Sequence, residues 1–236
     1  MKKQAHSAGG FSLVELLIGT ILFTIITGIA FSLLMSAQLR YQGESSVTQA
    51  FQQANVALDQ IVRDVHSAGY PPANSFAAGI ALNNPNLVAL PFSWSPGYTN
   101  TPPTPCTVGV SCGAVPGDYD LIVETDLGNG VQWIRYSLQG TTLMRGMVLK
   151  APFVDPVGST TGSLVPYLDN VMNGNSSLPI FTYTFDNTTP PPPSQPSYIR
   201  EVNITLIVQS AHPDPQTQQY RTITLTGQAV RFNPNQ

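Results

Sequence analysis

A chain of 236 residues has room for one membrane helix and one further folded core, and this one carries a net charge of −3. Only 10% of its residues are charged, against roughly 25% in ordinary soluble domains, and no run of Lys or Arg offers the electrostatic footprint of a nucleic-acid binder. A composition rich in Thr, Ser, Asn, Gln, Gly and Pro suits a protein working outside the cytoplasm.

Lys2 and Lys3 open the chain, and Gly10-Phe11-Ser12-Leu13-Val14-Glu15 leads into a stretch with no formal charge from Leu16 to Leu39. A carboxylate deep in a membrane span costs about 2.5–3.5 kcal/mol, so Glu15 needs a partner. A cleaved signal peptide would place its small residues after the apolar core, whereas Ala8-Gly9-Gly10 come before it. A plain anchor fits the length, since Phe11 to Ala37 makes about 40 Å of helix against a hydrocarbon core of about 30 Å. It leaves Glu15 unexplained.

The segment Gly10-Phe11-Ser12-Leu13-Val14-Glu15-Leu16-Leu17 resembles the processing site of the type IV pilin superfamily. The resemblance implies a leader ending at Gly10, removed by a prepilin peptidase, and a new N-terminus at Phe11 that becomes N-methylated. It also gives Glu15 a partner: the Phe11 ammonium of one subunit pairs with Glu15 of another. Either charge alone is costly to bury, so the pair selects the register between subunits. Snorkelling of Glu15 to the headgroups is the alternative.

Beyond the span, Val47, Ala50, Phe51, Ala54, Ala57, Leu58, Ile61, Val62 and Val65 recur at helical spacing as one apolar stripe. Polar residues including Gln49, Gln53, Asp59, Arg63 and Asp64 fill the other faces. Gly69 and Pro71-Pro72 stop the helix, which would be roughly 85 Å long from Phe11 to Ser67. Gly28 and Gly43 are the points where bending or local melting is cheapest. The helix end Arg63-Asp64-Val65-His66-Ser67-Ala68-Gly69-Tyr70 resembles that of PilW-type minor pilins.

Residues 74–116 read as a loop-like surface excursion, broken by prolines and stapled by Cys106 and Cys112. Two thiols this close in an exported chain form a disulfide; a metal site is the alternative, but no His or third Cys lies nearby. Residues 119–127, 131–138 and 143–149 alternate as three antiparallel strands, with turns at Gly128-Asn129-Gly130 and Gln139-Gly140-Thr141. Leu121 and Val123 face inward on the first strand, and Asp118, Asp120, Glu124 and Asp126 form an exposed acidic face. Carboxylates two apart on a strand lie about 6.6–7 Å from each other, too far to converge on one calcium ion unaided. Residues 151–197 read as irregular, with a polyproline run at Pro190–Pro193. Two strands, led by Val202, Ile204, Leu206 and Val208 and returning over residues 220–232, close the chain.

The whole predicts an α+β, pilin-like fold: a long N-terminal helix, half membrane and half amphipathic, on an antiparallel sheet. The divisions are a leader (1–10), a transmembrane and filament-core helix (11–39), an amphipathic helix (40–69) and a head outside the cytoplasm (70–236). His6, His66 and His212 are scattered, and no catalytic grouping, phosphate loop or metal-ligand pair emerges, so neither enzyme nor cofactor is expected. The resemblance implies a minor pilin that primes or caps a type IV pilus in company with other minor pilins, the major pilin and the inner membrane. The alternatives are a type II secretion pseudopilin of the PulJ group and a pilus-tip binding module.

Overall fold

Ser12 begins and Gly69 ends the dominant element, helix α1, which runs unbroken from Leu13 to His66. The computed structural model describes residues 12–77, 80, 84, 86–95, 98, 104–186 and 194–232; Gly10, Phe11 and the Pro190–Pro193 run lie outside them. α1 contains no proline and stays helical through Gly28 and Gly43, giving roughly 80 Å of rod. Gly69 takes φ 77°, a left-handed conformation that a side chain would resist, and Pro71 follows it.

The two halves of α1 meet different surroundings. No part of its most apolar window, mean hydropathy 2.3, is buried against the rest of the chain. The second half buries Ala50, Ala54, Ala57, Leu58, Ile61 and Val65, and its run of alanines lets a sheet approach closely. Phe51, assigned to the stripe by its spacing, instead stays largely exposed.

Two antiparallel sheets receive that stripe. One has the order β1 (Asp120–Asp126), β2 (Val131–Gln139), β3 (Thr142–Leu149) and β4 (Val165–Leu168); the other has β5 (Phe181–Phe185), β6 (Ile199–Gln209) and β7 (Thr222–Val230). The β1–β2 turn is closed by Asp126, whose Oδ1 accepts the Gly128 and Gly130 N–H groups at 2.7 and 3.0 Å. Leu121, Val123, Ile134 and Tyr136 from the first sheet meet Phe181, Val202, Ile204 and Leu206 from the second around Ile61 and Val65. The result is the pilin-like α+β architecture, with two sheets where one was expected.

β7 climbs along α1 in the same direction. Pro215 touches the helix at Gly43, Gly227 at Leu58 and Phe232 at His66. A Cβ on Gly227 would stand 2.7 Å from Leu58 Cδ1 and 3.2 Å from its Cγ. Gly227→Val is therefore expected to cost about 1–3 kcal/mol through overpacking, read as a lower urea midpoint with an unchanged slope.

Two sequence expectations are corrected. The 74–116 segment is no surface excursion: Phe92, Ser93, Trp94, Tyr98, Cys112 and Val115 are buried, and a second core forms where Trp94, Tyr98 and Val115 meet Ile122 and Trp133 on the outer face of the first sheet. Alternation alone reports which residues share a face, and both faces of β1 and β2 are covered. Residues 151–197, read as irregular, hold the short helix α2 (Pro156–Thr161), β4 and β5. α2 starts on Asp155, whose carboxylate accepts the Val157 and Gly158 N–H groups, with Pro156 at its first position.

Candidate functional site

The amino end of α1 carries the acid singled out by the sequence. Ser12 Oγ accepts the Val14 N–H at 3.3 Å, and the Glu15 carboxylate accepts the Ser12 N–H at 3.2 Å. Together they close a capping box, which satisfies otherwise orphaned donors and places negative charge at the positive end of the helix dipole. Glu15 therefore has a local partner, the Ser12 amide. The S-x-x-E spacing announces it, although the search for a cationic partner passes it by. The bond leaves carboxylate capacity free for a second donor, since an ionised carboxylate offers about four acceptor sites.

Further along the apolar half, the Thr20, Thr24 and Thr27 hydroxyls donate to the carbonyls of Leu17, Thr20 and Phe23 at 2.9, 2.8 and 2.7 Å. Each hydroxyl is satisfied within its own helix, so none would need water if the helix lay in hydrocarbon. Leu13, Phe23, Phe31 and Met35 project outward without cover. Such a surface is stable only against lipid or other apolar helices.

The head is fastened to this rod by buried charge. Asp64, placed by its polarity on the outer face of α1, is instead buried. Its carboxylate accepts from the Tyr136 hydroxyl at 2.6 Å, Arg145 Nη2 at 3.0 Å and Gln60 Nε2 at 2.8 Å. One helical carboxylate thus binds β2 and β3 at once. Burial, then the nearby Asp64 charge, pushes the Tyr136 phenol far above its usual range, so it remains a donor.

The expected acidic face of β1 is the largest correction. Glu124 is 0% exposed and accepts from Tyr98 Oη (2.5 Å), Ser93 Oγ (2.5 Å), Trp133 Nε1 (2.9 Å), the Leu90 N–H (2.8 Å) and Lys150 Nζ (2.6 Å). Lys150 also donates to Val88 O at 2.9 Å. Burial works against the Glu124 charge, but Lys150 and then Ser93 and Tyr98 outweigh it and hold the carboxyl below its usual range. Asp120 accepts from Arg135 Nε and Nη2 at 3.0 and 2.5 Å, and Arg135 Nη1 reaches Val157 O at 3.0 Å, tying α2 to the sheet. A signal was present: Ile122 lies between Asp120 and Glu124 on the same face, an odd residue for a wet acidic surface.

Cys106 and Cys112 are bonded, with Cα atoms 4.9 Å apart, and Cys112 packs into the second core. His66 packs against Phe232 with ring centroids 4.6 Å apart and the planes tilted by 42°. Among the described residues no group of three His, Cys, Asp or Glu is placed to hold a metal ion. Chemically, the arrangement can present an apolar rod, offer one carboxylate at its start and fasten a head to its far end through the buried Asp64 carboxylate. No protein-family model, no curated protein and no solved structure matches the chain.

Proposed function

We propose that this chain is a minor pilin of the PilW type, a structural subunit that primes or caps assembly of a type IV pilus. In this reading a prepilin peptidase cuts between Gly10 and Phe11, Phe11 is N-methylated, and the mature subunit waits in the inner membrane with its head outside the cytoplasm. It then joins other minor pilins and the major pilin through its apolar helix, with Glu15 taking up the Phe11 ammonium of a neighbour. Cys106–Cys112 staples the layer over the first sheet throughout.

The observation that carries the proposal is the division of α1. One unbroken 54-residue helix has an uncovered apolar half that starts on a lone acid, and a second half fused to an α+β head. A solitary anchor would use Glu15 only as a helix cap and leave its charge without a cation, and a soluble core helix would not leave its most apolar window bare.

The test is a mass measurement on protein isolated from membranes. Gly10→Val is expected to retain the leader, while the parent chain appears at the mass beginning with methylated Phe11. A Gly10→Val product at the mature mass would remove the basis for the site. Proteins recovered with the mature chain separate the machines: pilus subunits support the proposal, and a secretion pseudopilin set would redirect it to the type II system.

A further inference from the structure

We propose that the tip of the β6–β7 hairpin, residues 210–221, rests in the phospholipid headgroup layer beside the point where α1 leaves the membrane. The proposal rests on the membrane-span reading of the first half of α1 and adds a second contact between protein and lipid.

The direction of β7 makes this tip the part of its hairpin nearest the membrane. Contacts at Gly43, Leu58 and His66 follow Pro215, Gly227 and Phe232 in order, so the hairpin turns back at the lowest of them. Pro215 Cδ lies 3.2 Å from where a Gly43 Cβ would stand, and the His212 N–H donates to Ser46 Oγ at 3.4 Å. The charge-free run ends at Leu39, and four more helical residues to Gly43 rise about 6 Å. A headgroup layer is about 5–7 Å deep on each side of the hydrocarbon. With the hydrocarbon boundary at Leu39, the tilt of the long apolar helix taking up its excess length, the tip and the headgroups occupy the same height along the helix.

The chemistry of the tip suits that layer. Tyr41 on the helix and Tyr220 on the hairpin are 74% and 51% exposed, and Arg40, His212 and Arg221 are exposed beside them. Amphipathic rings and long cationic side chains concentrate at the membrane–water boundary. The one carboxylate of the tip, Asp214, is already engaged. It accepts the Gln216 and Thr217 N–H groups at 2.9 and 3.3 Å and pairs with Arg221, so the hairpin itself offers the lipid phosphates no unpaired acid; on α1, exposed Glu44 stands at the same height and is set against Arg40 on the turn below it. A cleft of about 500 Å³ opens between tip and helix, lined by Tyr41, Gln49, His212 and Pro213 among others. With the rod fixed at one point and the tip at another, the head is held at a set height and rotation before it enters a filament.

The experiment uses the full chain, its Cys106–Cys112 bond closed, in vesicles of phosphatidylcholine and phosphatidylglycerol. Single cysteines at Tyr220, Phe23 and Asp59 carry a nitroxide, and collision rates with oxygen and with a water-soluble nickel chelate report depth. The label at 23 is expected in the hydrocarbon, that at 59 in water, and that at 220 several-fold more shielded from nickel than 59 while still reached by oxygen. A label at 220 as open to nickel as that at 59, with 23 still in hydrocarbon, would overturn the headgroup contact and leave the span reading standing. A label at 23 in water would overturn both. Shielding at 220 that grows with the protein-to-lipid ratio and excludes oxygen too would assign the tip to another copy of the chain, which also overturns the proposal.

Discussion

Replacing Lys150 with Met is expected to destabilise the head by about 3–5 kcal/mol, the usual cost of stranding one member of a buried ion pair. Lys150 and Glu124 have 4% and 0% of their side-chain surface exposed, so no solvent takes over for the missing partner. Glu124→Gln should cost a similar amount by stranding Lys150, and the double variant should lose much less than the sum. Additive losses would show that the two groups do not act as a pair. Trp94 and Trp133, the two tryptophans of the chain, sit in the same cluster and report the transition by fluorescence. The pH dependence carries a sign. With Lys150 present, Glu124 is held below its ordinary value of 4.5, so its contribution is complete above that value and is lost as the pH falls through the lower folded value. With Lys150 gone, burial loses its largest opponent while the hydrogen bonds from Ser93 and Tyr98 remain, so the neutral acid is more accessible than in the parent and the variant gains stability relative to it on acidification. The gap between them should narrow below about pH 5; a gap that widens would contradict the assignment.

What the sequence could reveal follows from how local each signal is. The whole of α1 is legible, because a 3.6-residue period, a cap and a glycine stop are properties of neighbouring residues. The hairpin turns at Gly128–Gly130 and Gly140 are legible for the same reason. The second sheet face is not. Glu124 looks like a solvent residue until Tyr98, Lys150 and the Leu90 amide, all remote in sequence, converge on it. Asp64 points outward by polarity alone, and it is Tyr136 and Arg145 from another layer, with Gln60 beside it, that make its burial tolerable. The alternation Phe181, Tyr183, Phe185 in β5 was available, yet it lies amid turn and proline signals that argue for loop. At the candidate site the acid stands out in the sequence but its nearest partner does not: the charge of Glu15 points to a cation, while Ser12 three residues before it supplies the amide.

That amide sharpens the second large effect, because capping and intersubunit pairing make different demands on residue 15. Glu15→Gln keeps a carbonyl oxygen able to accept the Ser12 N–H but has no charge to offer a neighbour's Phe11 ammonium; Glu15→Ala has neither. If the proposed pairing governs assembly, both variants should be cleaved at Gly10, reach the mature mass in membranes, and fail alike to enter filaments. An ammonium buried without its carboxylate costs about 3–5 kcal/mol, on the order of a hundredfold or more in an equilibrium of incorporation. Losing the cap alone is worth about 0.5–2 kcal/mol and acts on the helix end of each subunit separately. Comparing mature protein in sheared filaments with that left in membranes separates the two. Near-parental incorporation of Glu15→Gln, with only Glu15→Ala reduced, would sink the pairing and leave Glu15 as a helix cap. Equal loss in both, with processing intact, means that charge rather than hydrogen bonding at this position sets the register of the rods.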